Sequence, residues 1–364
     1  MTHNIVKTSK KICLVTCYKD PNYVRVKTLE AGLRLNDVDL TIVRNNHKGI
    51  LRYPEVVLQL IKTRITINPD AYIVTFRGYE ILPVVLLIGF GKKVIFDEFI
   101  NLIEWIVYEH KKLKSNSLRI WFIKAVYKLF LKSTTLIITD TNSHARYSAE
   151  LMGIPIEKYQ SVSVGTDETI SNNKKLSGKK NNSFQIIYYG SMLPLHGIEY
   201  VIQAAIEVAD NNIEFFLIGG GHDVQRDIRS AISKGARIKY KKWVPYDKLS
   251  ALITNADVCL GGPFGNTVQA RFVITGKTFH FLRMGKPVIV GRNLESKVFD
   301  DKVNALLVDR ANTESLRNVI MWAYHNRKEI GKIGINGKKL YNTSFSNHAI
   351  AQDIAELLEA ISIS

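Results

Sequence analysis

Twice along this chain a short apolar run gives way to a helical repeat and then to another apolar run, and one polar, basic stretch separates the two series. The first series places strands at 11–16, 39–43, 71–75, 93–96 and 135–139. Between them fall helices at 23–35, 54–66 and 81–88 and a long helical region over 102–132. Residues 169–183 read TISNNKKLSGKKNNS and carry no apolar period. The second series places strands at 185–189, 214–219, 237–240, 258–260 and 288–290, with helices at 198–209, 223–234, 246–254 and 276–284. Parallel strands need a crossover between them, so this rhythm predicts an α/β chain of doubly wound parallel sheets. The expected organisation is a first domain over 1–168, a linker over 169–183 and a second domain over 184–345, with a ligand cleft between the domains. The tail 346–364 has Ser346 as a cap and apolar residues at helical spacing (Ile350, Ile354, Leu357, Leu358, Ile361), and is expected to pack back on a domain surface.

Charge narrows the class of partner. The 364 residues carry a formal net charge of +17 at pH 7, which implies an anionic partner: a nucleotide, a nucleic acid or a lipid surface. No nucleic-acid-binding motif accompanies the charge, so that partner is not expected. Three cysteines, Cys13, Cys17 and Cys259, form a sparse and odd set that suits a reducing compartment. Cys13 and Cys17 have no second Cys pair or His cluster to complete a zinc site. The N-terminal stretch has no apolar core of a secretory signal, and the most apolar run, 81–90, is shorter than the roughly 20 residues that span a bilayer. The expected location is cytoplasmic, with peripheral contact at the inner face of the membrane as a variant. The D-x-D at Asp37–Asp39 lies between the first helix and the second strand and reads as turn chemistry, so no metal is expected.

The second series ends its strands in glycine-rich loops. Gly190 and Ser191 lead through His196 and Gly197 into a helix, and Gly219 and Gly221 close the next strand. Trp243 and Val244 follow the third, and Phe264, Gly265, Asn266 and Thr267 follow the fourth. In a parallel sheet all these loops gather at the carboxyl edge, where ligands bind. Glycine lets a backbone approach a phosphate closely and helix starts favour an anion, so the set suits a nucleotide diphosphate.

These segments resemble glycosyltransferase family 4, the group 1 glycosyltransferases. YYGSMLPLHGIEYVIQAA is similar to the opening of the family's donor domain, FFLIGGG to its second glycine loop, and ADVCLGGPFGNTVQARFVITGKTFHFLRMGKPVIV to its donor-sugar and ribose loop. TDTNSHARYSAELMGIPIEKYQSVSVGTDE resembles the close of the acceptor domain, with Gly165 and Asp167 in its G-x-D position. The resemblance implies the GT-B fold of two facing Rossmann-like domains and a nucleotide diphosphate sugar as donor substrate, with no cofactor. It also implies retention at the anomeric carbon, no essential metal, and a glycan or lipid-linked glycan acceptor in cell-surface polysaccharide or glycoconjugate synthesis. The chain departs from the family at two places. Ser191 and His196 stand where Arg and Lys usually meet the diphosphate, and Phe272 and His280 stand where an E-x7-E pair is common. Lys277, with Arg271 as a second candidate, is then the group expected to meet the diphosphate, and His280 to bond a hydroxyl. For Lys277, His196 and His280 ordinary surface or packing roles remain the alternative.

On the acceptor side the candidates are Arg77, Asp97, Asp140, Asn142 and His144, all at strand ends of the first series. Asp97, after the strand VIF, reads either as a cleft-facing catalytic carboxylate or as a helix cap. Residues 111–132 hold Lys111, Lys112, Lys114, Arg119, Lys124, Lys128 and Lys132 with aromatic residues between them. That stretch reads either as a helix on an anionic membrane or as a core-facing aromatic stripe with a solvated basic back. Two rival functions remain, a nucleotide-sugar epimerase and a non-catalytic partner subunit on the same fold.

Overall fold

The computed structural model describes residues 10–109, 112–115, 117–169 and 183–363. The chain divides into two compact units, one of residues up to Val164 together with the C-terminal segment from Asn347, the other Gly165–Ser346.

The first unit runs β1 (Lys11–Thr16), α1 (Val24–Arg34), β2 (Asp39–Arg44), α2 (Arg52–Thr66), β3 (Ala71–Val74), α3 (Leu82–Ile88), β4 (Lys93–Asp97), α4 (Leu102–Glu104), α5 (Leu118–Ser133), β5 (Leu136–Thr139), α6 (Asn142–Met152) and β6 (Tyr159–Ser161). Its strands form one parallel six-stranded sheet in the order β2-β1-β3-β4-β5-β6. Successive side chains of a strand point to opposite faces, and the core follows that period. Cys13 and Val15 of β1 pack with α2, α3, α5 and α6, whereas Ile12 and Leu14 pack with α1 and the C-terminal helix. At the β1/β3 switch in strand order the Thr16 and Thr75 hydroxyls are 2.8 Å apart.

The second unit runs β7 (Phe184–Gly190), α7 (Ile198–Glu207), β8 (Ile213–Gly219), α8 (His222–Ser233), β9 (Ile238–Lys241), α9 (Tyr246–Asn255), β10 (Val258–Leu260), α10 (Gly276–Arg283), β11 (Val288–Gly291), β12 (Leu306–Val308), α11 (Thr313–His325) and α12 (Arg327–Ser344). Its parallel sheet has the order β12-β11-β10-β7-β8-β9, the order of the dinucleotide-binding fold, with its switch point between β7 and β10. Every residue of β10, β11 and β12 is buried, as parallel strands covered on both faces require.

The last helix, α13 (Asn347–Ile363), returns to the first unit and lies along α1. Asn36 Nδ2 donates to Ala351 O at 2.8 Å, and a Cβ on Gly32 would sit 2.5 Å from Ile354 Cδ1. Ser346 Oγ donates to Asn342 O at 2.8 Å, at the end of α12.

Three expectations need revision. The helical region 102–132 is broken into the single turn α4, a π-helical stretch Trp105–Glu109, and α5, whose start is fixed by Ser117 Oγ accepting from Ile120 N at 3.3 Å. Asp37 sits at φ 52 in the turn before β2, in agreement with turn chemistry at the D-x-D. β6, α6, β12, α11 and α12 have no counterpart in the periodicity. The strands have three residues each, and α12 carries glycines at its packing face. Gly334 and Gly337 are there for backbone approach, because a Cβ would lie 2.4 Å from Gly285 O and 2.8 Å from Asn304 O. Of the expected linker, 170–182 lie outside the described residues. The chain has already entered the second unit at Gly165, where the Arg283 guanidinium donates to Asp167 O and Glu168 O at 3.1 and 2.8 Å.

Candidate functional site

The loops that leave β7 and β10 flank the switch point, and they are bonded to each other. Gly265 N donates to Leu195 O at 3.0 Å and Phe264 N to His196 O at 3.3 Å. The contact is too close for side chains. Gly197 has φ +60 and a Cβ there would stand 2.4 Å from Gly265 N, while one on Gly265 would stand 2.2 Å from Pro194 O. Gly219 at φ +113 meets Gly190 in the same way, with a Cβ position 1.9 Å from Gly190 O. The glycine loops after β7, β8 and β10 thus form one backbone surface at the end of β7.

Lys277, in the first turn of α10, reaches that surface from below. Its side chain is almost wholly buried, and Nζ lies 3.1 Å from His196 Nδ1, 3.4 Å from Gly261 O and 4.8 Å from the centre of the Tyr188 ring. Burial alone pulls this amine from its ordinary 10.5 down to about 7. Burial, and then Lys277 itself, hold His196 well below the usual imidazole range, so Nδ1 is free to accept from the ammonium. One turn on, His280 Nδ1 and the Tyr189 hydroxyl are 2.9 Å apart, and burial followed by Arg283 lowers the imidazole to about 4. Lys277 and His280 share a helix face at i, i+3, which is why both meet the end of β7.

A further cation stands at the far side of the Gly265 loop. Arg310, two residues beyond β12, donates from Nη1 to Gly265 O at 3.0 Å and from Nε to Arg292 O at 2.9 Å. Burial, and then the neighbouring Arg271, lower its guanidinium pKa. No motif marks Arg310, because β12 is only three residues long and shows no period; its one signal is the apolar run before it, ALLVD-R. Lys277 and Arg310 thus approach the same glycine loops from two sides, and Arg271 adds positive charge beside Arg310.

Other candidates on this side have structural duties or stand apart. Phe264 and Phe272 are buried in apolar surroundings, and Thr267 Oγ1 accepts from Ala270 N at 3.2 Å. Ser191, Gly221 and Asn266 are exposed, Val244 is half-buried, and Trp243 projects into solvent after β9.

In the first unit the geometry withdraws Asp97 from catalysis. It is fully buried, and Arg25 holds both carboxylate oxygens with Nε at 3.1 and 3.2 Å and Nη2 at 2.9 Å. Nor is it a helix cap: that role belongs to Asn101 for α4. Asp140 and His144 are likewise committed to each other, at 2.6 Å in the interior. Burial would lower His144, but the Asp140 carboxylate together with Glu104 and Glu98 outweighs it and raises the imidazole to about 9. The cap of α6 is Thr141, and Asn142 instead accepts from Ser161 Oγ at 2.8 Å. Arg77 keeps an accessible setting. It occupies the left-handed region at φ 56, donates to Tyr79 Oη at 2.8 Å and lies 4.7 Å over the Trp105 ring. Beside it Tyr18, Tyr23, Phe76 and Phe99 form an aromatic cluster, with Tyr23 stacked on Phe76 at 4.5 Å. Its members come from the three loops after β1, β3 and β4, so no local motif announces it. Among the described residues no group of three His, Cys, Asp or Glu side chains is placed to hold a metal ion.

Comparison with known proteins agrees with this architecture. Residues 183–326 match the family model of the glycosyl transferases group 1. An uncharacterized glycosyltransferase of Methanocaldococcus jannaschii is 21% identical over 265 residues, 68% of this chain, and the match spans 64% of that relative's length. Anabaena HepE, solved in complex with UDP-glucose, superposes with a TM-score of 0.70 at 14% identity over 96% of this chain and all of its own. Sucrose-phosphate synthase from Thermosynechococcus elongatus gives a TM-score of 0.73 at 14% identity, covering 97% of this chain and 99% of its own. The chain resembles the group 1 glycosyltransferases and has their GT-B-type α/β architecture of two parallel-sheet units.

Proposed function

We propose that this chain is a retaining, metal-independent glycosyltransferase that moves a sugar from a nucleotide diphosphate sugar to a glycan or lipid-linked glycan. The observation that carries the reading is Lys277, a buried amine with no carboxylate partner among the described residues, set under the glycine loops at the switch point. In such a transfer the bond from the anomeric carbon to the diphosphate oxygen breaks, and the electron pair leaves with the diphosphate. The acceptor oxygen bonds to the same carbon and gives up its proton, which the departing diphosphate oxygen can take. The protein's main task is to meet the charge on the departing diphosphate, which Lys277, Arg271 and Arg310 are suited to do. His280 and Tyr189 would serve the nucleoside or sugar hydroxyls as neutral hydrogen-bonding groups. UDP-glucose is the ligand of the structural relative HepE, which makes uridine diphosphate sugars the first donors to try.

A second reading, a non-catalytic partner subunit, is favoured by one observation. Phe272 is packed in the core and His280 is neutral where the resemblance leads one to expect carboxylates. One experiment separates the two. A panel of nucleotide diphosphate sugars is screened for release of the nucleoside diphosphate and, in parallel, for a raised unfolding temperature. Release from one donor supports the transferase. A thermal shift without release, across acceptor mixtures, supports the partner subunit; neither signal removes both. A ligand at about 100-fold over its Kd stabilises by ~2.7 kcal/mol, well within reach of the thermal readout.

A further inference from the structure

The outer face of the α2–α3–α5 layer in the first unit is apolar and basic at once. The inner faces of these helices close the core, through Val56 and Leu60 of α2, Leu82 and Val85 of α3, and Ile120, Tyr127 and Leu131 of α5. Their outer faces repeat the pattern toward solvent. On α2, Leu58, Ile61 and Ile65 fall at i, i+3 and i+7 and are all exposed. Leu87 and Phe90 continue the face at the end of α3, where Phe90 is 83% exposed. On α5, Trp121 is 70% exposed, with Phe122 beside it and Leu129 two turns on. The stripes are neighbours, since α3 contacts both α2 and α5 and Arg64 of α2 donates to Phe90 O at 3.2 Å. Exposed apolar residues normally occur singly, and a face built from three adjacent helices marks an interaction site.

Charge selects the occupant. α5 carries Arg119, Lys124, Lys128 and Lys132 and no acid, and α3 carries no charged residue. α2 adds Lys62 and Arg64, and its single acid, Glu55, is taken up by the amides of Asn46 and His47. A second copy docking through the same face would set these cations against one another. An anionic bilayer satisfies both halves of the pattern. Aromatic and aliphatic side chains enter the boundary of headgroups and acyl chains while the lysines meet lipid phosphates. Among the described residues no helix is long and apolar enough to cross a membrane, so the geometry is that of lying on it. Of the basic stretch read from the sequence, Lys111 lies outside the described residues, and α5 presents Trp121 and Phe122 outward rather than to the core.

We propose that this face docks the first unit on an anionic lipid bilayer. The inference does not rest on sugar transfer, and its test uses neither donor nor acceptor. The full chain is sedimented with phosphatidylcholine vesicles with and without phosphatidylglycerol. The wild type is expected to bind the anionic vesicles, to bind neutral ones weakly, and to be released by salt. Trp121→Glu with Phe122→Glu should lower the partition constant by about tenfold or more, and Leu58→Glu on α2 should lower it independently. Changing Lys124, Lys128 and Lys132 to Gln should cost about fivefold per residue, the equivalent of ~1 kcal/mol each. Unchanged thermal unfolding shows that the variants are folded. The proposal is overturned if the wild type ignores phosphatidylglycerol, if the folded variants bind as well as it does, or if sedimentation velocity shows a dimer that the same substitutions dissolve.

Discussion

Replacing Lys277 by methionine probes the charge state on which the proposed diphosphate contact depends. Burial holds this amine at about 7 in the folded protein against an ordinary 10.5. At ~1.36 kcal/mol per pH unit, that gap makes the desolvated ammonium cost about 5 kcal/mol of stability below pH 7. The unfolded chain keeps its proton up to the ordinary lysine value, while the folded protein releases it near 7. Between those limits the unfolded state binds more protons, so stability rises with pH. From pH 6.5 to 8.5 the gain from this one group is about 2 kcal/mol. Lys277→Met should abolish that gain. The buried thiols Cys13, Cys17 and Cys259, which burial pushes up, titrate equally in both proteins and cancel in the comparison. Urea unfolding across this pH range measures the difference directly. A diphosphate over Nζ would restore the proton, so calorimetry of UDP binding at pH 8 in buffers of different ionisation enthalpy should show uptake of about one proton by the wild type and none by the variant. Equal pH slopes in the two proteins, or UDP binding by the wild type without proton uptake, would refute the argument.

Two other predictions follow from packing. Gly197→Ala puts a Cβ against the Gly265 backbone and a non-glycine residue at φ +60, so it should cost about 2 kcal/mol or more and weaken nucleotide binding beyond the loss of stability, as read by unfolding and titration on the same sample. Asp97→Asn leaves the Arg25 guanidinium buried without its counter-charge and should destabilise by about 3–5 kcal/mol. Turnover per folded molecule should be unaltered, and a stable but inactive variant would return Asp97 to the list of catalytic groups.

Much of the architecture is legible in the sequence because parallel strands and crossover helices impose local periods. Of the first unit's sheet only β6 escapes that reading, and the two glycine loops at the β7/β10 switch are visible as loops. Boundaries fail where the local signal is thin. β6 and β12 have three residues each, and α12 uses glycine for close packing where glycine ordinarily speaks against a helix. A strand as short as β12 leaves Arg310, two residues beyond it, without a motif.

By itself the sequence determined the α/β alternation, the glycine loops at strand ends, the excess of positive charge and the resemblance to group 1 glycosyltransferases. Only the tertiary structure decided which charged groups are available. Asp97 and Lys277 both follow apolar stretches or start helices, yet Asp97 meets Arg25 from 72 residues away and is ion-paired, while Lys277 meets a neutral imidazole from 81 residues away and has no counter-charge there. The same holds for α5, whose two stripes, Ile120–Tyr127–Leu131 and Trp121–Phe122–Leu129, are equally apolar. Local hydropathy cannot rank two such faces. The sheet covers one, and the other is left for whatever the lysines attract.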